Sequence, residues 1–385
     1  MDFELSEEQK AIQKMARDFS EKEIRSVVDA DDKAHRFQRE LISKMGKLGF
    51  FGCPIPLEYG GANTGYLAHA ILTEEISRVS GSLRAAFNMQ TMGTALEILK
   101  FGNEEQKRRY IPGLVGAEML GCIGITEPNA GSDVAAMQTK AIIDGNYYIL
   151  NGTKNWITYA PVADIAIIYA YTDSSKKHKG ISCFVVEMGL PGIRTIETKY
   201  KMGWNSCPTG EIIFGDVRIP RENLIGLEGE GFRYVMASLD STRLTAAAGA
   251  VGACQGLLEE TTKYAREREQ FGQAIGRFQM IQEMISRMVV QTEASRLLTY
   301  RCAWQKDQGI SNTLETSIAK YCACDAASLN SDLALQILGA YGYSGEYPVE
   351  RYLRDSKLYQ ILEGSANIHK IIIANDALGY RRANR

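Results

Sequence analysis

From Leu5 to about Val115 apolar side chains recur at steps of three and four, beginning with Ile12, Met15, Ala16 and Phe19, and this period predicts amphipathic helices. Ser6 and Gln9 have the spacing of a capping box, and Pro54 to Asn63 interrupts the pattern. From about Leu120 to Pro220 the pattern shortens to β-rich runs at Tyr147–Leu150, Ile165–Tyr171, Ile181–Val186 and Glu211–Phe214, with Asp144-Gly145 as a hairpin turn. The helical period then returns from about Phe232 to Tyr380. Ile281, Met284, Ile285 and Met288 fall on one face there, and the Ala/Gly-rich stretch Ala246–Gly256 suits close helix approach. Segregated helices, strands and helices imply an α+β chain of three parts, 1–119, 120–231 and 232–385, rather than a doubly wound parallel sheet.

Composition narrows the function classes. The formal net charge of −2, with acids and bases interspersed over 385 residues, gives no reason to expect nucleic acid or an anionic membrane as partner. No run approaches the roughly 18 apolar residues of a membrane span, and the N-terminus lacks a signal pattern, so a cytoplasmic protein is expected. The eight cysteines show no C-x-x-C pairing and read as reduced core residues. None of the four histidines has a metal-site spacing, and no metal is expected. Gly226-Leu-Glu-Gly229-Glu-Gly231 has the wrong glycine order for a dinucleotide fingerprint and reads as a connector between the β part and the bundle.

Five segments carry the chemistry. Ile125-Thr-Glu-Pro-Asn-Ala-Gly-Ser-Asp133 gathers hydroxyls, glycine and proline into a loop suited to a polar ligand. It is followed by Lys154-Asn-Trp-Ile-Thr158, Arg268-Glu-Gln-Phe-Gly272, Gln336-Ile-Leu-Gly339 and Tyr359-Gln-Ile-Leu-Glu-Gly-Ser365. In this order and spacing they resemble the acyl-CoA dehydrogenase family over nearly the whole chain. The resemblance implies a homotetramer whose subunits each have an N-terminal helical domain, a middle β-barrel-like domain and a C-terminal four-helix bundle, with FAD between them.

By the same resemblance, Thr126 and Thr158 meet the isoalloxazine edge, Trp156 packs beside the ring, and Ser132 lies near the CoA arm. Ile123 stands where some members have a tyrosine. Arg268, Phe271, Gln279, Gln336 and Gly339 would receive the FAD of a neighbouring subunit, with Ser365 also on the cofactor side. An arginine suits the pyrophosphate because its planar donors meet two oxygens at once. Taken singly, Trp156 reads as core and Arg268 as part of a solvated charged run.

Desaturating an acyl thioester needs a base at the α carbon and a hydride acceptor facing the β carbon. Glu363 matches the family's catalytic glutamate; its ordinary alternative is an exposed glutamate at a helix junction. In other members the base precedes the arginine of an Asp-x-x-Arg segment, here Asp240-Ser241-Thr242-Arg243, where Thr242 cannot serve. The resemblance gives Asp240 and Arg243 to the pantetheine side, Leu362 and Gly364 to the substrate side, and enolate stabilisation to the Glu363 backbone N–H and a ribityl hydroxyl. Electrons would pass to an electron-transfer flavoprotein.

Arg84 aligns with the arginine that holds the distal carboxylate in glutaryl-CoA dehydrogenases; alternatively it lies on a helix surface. Leu362 and Ser77 stand where decarboxylating members have a tyrosine and a glutamate, which implies glutaconyl-CoA as product with CO2 retained. A compact alicyclic substrate, cyclohexanecarboxyl-CoA, stays open, with Thr91 near the acyl pocket. So do a reductase running the half-reaction backwards and a non-redox protein on the same fold.

Overall fold

The computed structural model describes residues 4–384. Helix α1 (Glu7–Phe19) starts at Ser6, whose Oγ accepts the Gln9 N–H while the Gln9 side chain accepts the Ser6 N–H, the reciprocal cap that the spacing implies. Helices α2 (Val28–Ala34), α3 (Arg39–Lys47), α4 (Gly65–Ser77), α5 (Gly81–Ala86), α6 (Leu96–Phe101) and α7 (Glu104–Val115) complete the N-terminal part. The periodicity did not foresee that Phe87–Ala95 winds as a π-helix, every residue of it buried. Its wider turn is common at functional sites, and it carries Asn88.

Eight strands form one sheet: β1 (Gly121–Gly124), β2 (Lys140–Asp144), β3 (Tyr147–Thr158), β4 (Ile165–Tyr171), β5 (Ile181–Glu187), β6 (Ile193–Glu197), β7 (Thr209–Pro220) and β8 (Leu224–Ile225). Their order is β6-β7-β3-β2-β4-β5-β8, with β1 parallel to β4. The two halves meet at the pair Lys140–Tyr171. Strands β4 and β5 are buried almost throughout, which explains their unbroken apolar runs. Strands β1, β2, β6 and β8 escape a periodicity reading because they are short or largely exposed. The β2–β3 turn falls on Gly145-Asn146, one residue later than expected, with Gly145 at φ +58°.

The C-terminal part comprises α8 (Gly231–Glu267), the short hairpin β9 (Glu269–Gln270) and β10 (Gln273–Ala274), then α9 (Gln279–Asp307), α10 (Thr313–Leu338), α11 (Ala340–Tyr343), α12 (Val349–Tyr359) and α13 (Ala366–Ala377). Helix α8 is buried from Ser241 to Cys254. A Cβ on its Gly252 would lie 2.2 Å from the Glu74 carbonyl oxygen, so a glycine is what lets α4 lie against it. The Gly226–Gly231 segment is the expected connector, running from β8 into the first turn of α8. No helix among the described residues is long and apolar enough to cross a membrane, and no three His, Cys, Asp or Glu converge there as a metal site.

His69 and His369 are wholly buried, and burial pushes both imidazoles down to about 3. Each is neutral in the fold, so its contribution to stability is complete above the unfolded value near 6.5. It is lost as pH falls, at about 1.4 kcal/mol per pH unit. Burial raises the Glu97 carboxyl to about 7 and the Asp355 carboxyl to about 6, which works in the opposite sense, so the histidine term is read as a difference. The stability gap between wild type and His69→Gln is expected to shrink by about 1.4 kcal/mol per pH unit from pH 6 to pH 4 in urea titrations. Parallel pH profiles would contradict this.

Candidate active site

Between α12 and α13 the chain turns sharply: Glu363 has φ +55° and Gly364 φ +87°. A glutamate in the left-handed region is strained, and it persists only where its surroundings hold it. They do so from three elements. The carboxylate Oε2 accepts the Thr242 hydroxyl of α8 at 2.5 Å, and Oε1 accepts the Asn88 Nδ2 of the π-helix at 3.0 Å. Arg243 Nε donates to the Glu363 carbonyl at 3.3 Å, and Lys320 Nζ of α10 donates to the Gly364 carbonyl at 2.8 Å. Both carboxylate donors are neutral, so the group is aimed without being ion-paired, the condition a general base requires. Among the described residues, no hydrogen-bond acceptor faces the backbone N–H groups of Glu363 and Gly364. Asp240 accepts from Arg243 at 3.2 Å and from Thr313 at 2.6 Å, one helical turn along α8.

Arg84 of α5 does not lie on a helix surface: it is 1% exposed. Its guanidinium carbon lies 4.7 Å from the Trp204 ring centre and 5.3 Å from that of Tyr359, and a Cβ on Gly249 of α8 would be 2.8 Å from Arg84 Cδ. All three guanidinium nitrogens lack a hydrogen-bond partner. Two rings recover part of the lost hydration through cation–π attraction, but five N–H donors remain unused. Ser77 cannot supply a charge; its Oγ donates to the Gly249 carbonyl at 2.7 Å and lies 2.8 Å from Tyr359 Oη. Leu362 is half-buried against the core. Thr91 is fully buried with its hydroxyl on the Phe51 carbonyl at 2.9 Å, so its polar group is already committed.

Trp156, read alone, would be core, yet it is 60% exposed at the end of β3 with φ +60°. A large ring held out by strained backbone offers a face on which a planar group can stack. Thr158 lies two residues on in β3, paired with Thr209, and the Thr126 carbonyl accepts the Asn155 N–H at 2.8 Å, so both threonines flank the indole. Ser132 is exposed further along the same loop. Beneath it, Lys154 Nζ pairs with Glu127 at 2.7 Å, both buried, while Glu127 also accepts the Thr139 N–H at 3.0 Å. Burial pulls the Lys154 ammonium down to about 8, and Lys154 overcomes burial to keep the Glu127 carboxyl below its usual range. Lys154→Met leaves a buried carboxylate unpaired and is expected to cost about 3–5 kcal/mol. A shifted urea midpoint with unchanged slope would be the sign, and an unchanged midpoint would contradict it.

A second group gathers at the far end of the bundle. Arg268 lies 5.4 Å from the Tyr341 ring centre, just beyond Gly339, and Phe271 is 94% exposed at φ +53° in the β9–β10 turn. Gln279 opens α9, and Gln336 is exposed in the last turn of α10. Along α8 this end is roughly 36 Å from Arg243, at 1.5 Å per residue. The structure therefore gathers Glu363, Asp240, Arg243, Leu362 and Gly364 at one turn, with Arg84 against Gly249, about 9 Å along α8 from Arg243. It keeps Arg268, Phe271, Gln279, Gln336 and Gly339 apart from them within one chain. Ser365 stands at the N-cap position of α13, without a side-chain capping bond, on the first side. Asn88, Lys320, Trp204 and the hydroxyl contact of Thr242 were not anticipated, nor was the packing of Tyr359, part of the last motif, against Arg84. Only the buried cations in an apolar stretch hinted at them, since a lysine amid Ser-Ile-Ala-Lys-Tyr-Cys-Ala is unusual for a core.

Three family descriptions match in chain order: Acyl-CoA dehydrogenase, N-terminal domain over residues 6–118, middle domain over 122–217, and C-terminal domain over 229–378. A glutaryl-CoA dehydrogenase from Desulfococcus multivorans is 49% identical over 390 aligned residues, covering all of both chains. The Caffeyl-CoA reductase-Etf complex subunit CarC of Acetobacterium woodii is 40% identical, covering 96% of this chain and 98% of its own. The solved structure of a glutaryl-coenzyme A dehydrogenase glutaryl-CoA complex superposes with a TM-score of 0.99 at 49% identity, over 100% of this chain and 98% of that one. The α+β arrangement of N-terminal helices, middle β domain and C-terminal helices is that of this group, and the chain belongs to the acyl-CoA dehydrogenase family of FAD-dependent enzymes.

Proposed function

We propose that the protein dehydrogenates glutaryl-CoA to glutaconyl-CoA and retains the distal carboxylate. One observation carries this reading: a buried guanidinium with no hydrogen-bond partner, Arg84, packed against the same α8–α12 wall that leads to Glu363. An uncompensated buried cation costs several kcal/mol, and a carboxylate at the far end of an acyl chain removes that cost on binding. The likeness to a glutaryl-CoA dehydrogenase supports it.

Glu363 takes the α proton, and the unpaired N–H groups of its turn face the role of stabilising charge on the thioester oxygen. Arg243 and Asp240 suit the polar pantetheine arm. FAD, when bound, supplies the hydride acceptor for the β carbon. Trp156, Thr126 and Thr158 suit its ring, with Ser132 and Ser365 beside it. Arg268, Phe271, Gln279, Gln336 and Gly339 suit its diphosphate and adenine, but at roughly 36 Å along α8 they can serve only the FAD of another subunit. This requires a homotetramer or another assembly that pairs bundle ends. The apolar residues Met280, Val290 and Leu297, exposed along α9, support such an interface. An electron-transfer flavoprotein is the acceptor, in keeping with the Etf complex of the caffeyl-CoA relative. The free thiols fit a reducing cytoplasm.

Retention of CO2 rests on Leu362 and Ser77. Leu362 offers no polar group, and the Ser77 hydroxyl is engaged by Gly249 and Tyr359, so neither supplies the hydroxyl or the charge that a tyrosine and a glutamate would bring to these two positions. Glutaryl-CoA labelled with 13C in its free carboxyl tests this with an artificial electron acceptor. Label retained in a five-carbon thioester is expected; labelled CO2 and crotonyl-CoA would overturn the reading.

A further inference from the structure

Lys320 lies two turns into α10 and is 0% exposed, a costly place for an ammonium. Its Nζ donates to two backbone carbonyls: Tyr359 at 2.9 Å, the last residue of α12, and Gly364 at 2.8 Å, the residue after the base. The two acceptors bracket Glu363, one at the end of α12 and the other in the turn that follows it. No salt-bridge partner lies within 4 Å of Lys320 among the described residues. A methionine would fill the same volume without the desolvation cost, so packing alone does not account for a lysine there.

The same turn holds a residue at φ +55° followed by one at φ +87°, which free chain would not retain. Arg243 grips the Glu363 carbonyl from α8 at 3.3 Å, and Lys320 grips the Gly364 carbonyl from α10. With its carbonyls drawn inward to these two cations, the turn leaves its N–H groups without partners inside the chain. We infer that Lys320 is a positioning residue for proton abstraction: it fixes the Glu363–Gly364 turn so that the carboxylate and the backbone N–H groups present together to the thioester. This rests on the reading of Glu363 as the base. The other charged or titratable groups facing Lys320 are Arg243 of α8, Cys324 and Asp325 of α10, Glu363 itself, and His369 of α13, whose Nε2 would lie 3.4 Å from a Cβ on Gly364.

The test uses the FAD-loaded enzyme and a 3-thia-acyl-CoA, which can lose its α proton but has no β hydrogen to transfer. Exchange of the α hydrogen into D2O, followed by mass spectrometry, then reports the base alone. In Lys320→Met, exchange and kcat are expected to fall together by about 10- to 100-fold, the scale of a misplaced catalytic group, with KM within about twofold of wild type and FAD content and Tm retained. Lys320→Arg, which restores donors to both carbonyls, is expected to recover part of the exchange. If the methionine variant does not fold, Lys320→Gln, which keeps an N–H donor pair on a shorter arm, takes the same readouts. Wild-type exchange in a folded, FAD-replete Lys320→Met or Lys320→Gln protein would overturn the inference. So would a fall in exchange explained wholly by lost FAD. Glu363→Gln is run beside them: if it too exchanges normally, the assignment of the base has failed, whereas a silent Glu363→Gln with a normal Lys320 variant sinks only the positioning role.

Discussion

Glu363→Gln is expected to keep its fold and its FAD and to lose dehydrogenation by roughly 10²- to 10⁴-fold in kcat, the range that a positioned general base contributes. The substitution preserves shape and the hydrogen bond from Thr242 to the remaining oxygen, and the new NH2 can donate to the Asn88 Oδ1 once that amide flips, so the strained turn has no reason to relax. What it removes is the carboxylate that Thr242 and Asn88 aim. The loss should appear in kcat with little change in KM, because an interaction made only as the proton moves does not alter ground-state binding. Retained turnover would mean that another group takes the proton. Among the residues around the turn, Asn88 and Thr242 cannot do so at neutral pH, and Arg243 and Lys320 hold carbonyls, which leaves the buried neutral imidazole of His369 as the alternative acceptor.

Arg84→Met is expected to separate substrates rather than to abolish chemistry. Losing a buried hydrogen-bonded charge pair costs about 2–5 kcal/mol, or roughly 30- to 3,000-fold in kcat/KM for glutaryl-CoA. Butyryl-CoA brings no carboxylate to the cation, so its turnover should hold or rise. The ligand-free variant should also be more stable than wild type, by on the order of 1 kcal/mol, because an unpartnered buried guanidinium is replaced by an apolar side chain of similar length. Urea titration of the two proteins without substrate reads that term independently of catalysis. A parallel loss on both thioesters, or a less stable variant, would make Arg84 a structural residue instead.

The sequence disclosed the architecture where burial imposes a simple period. Strands β4 and β5 are buried on both faces and read as apolar runs, while α8 showed itself through the small residues that its close packing demands. It concealed the π-helix, because one wide turn leaves no distinct mark on a pattern that is apolar all round. The five motifs located Glu363, Trp156 and Arg268, but their surroundings were hidden. Asn88, Thr242 and Lys320 reach Glu363 from 275, 121 and 43 residues away in the chain, and no local pattern encodes a contact across such separations. Arg84 is the instructive case: a lone arginine among small residues could face water or a ligand, and only its burial between Trp204 and Tyr359 without a partner separates the two.

In the proposed complex a buried cation, Arg84, meets the far end of the substrate while a carboxylate, Glu363, meets the near end. Binding of glutaryl-CoA, butyryl-CoA and cyclohexanecarboxyl-CoA to the FAD-loaded Glu363→Gln protein, titrated by calorimetry so that no redox partner enters, tests this most directly. Glutaryl-CoA should bind at least about tenfold tighter than either neutral thioester, corresponding to about 1.4 kcal/mol or more. Equal affinities, or cyclohexanecarboxyl-CoA as the tightest of the three, would contradict it.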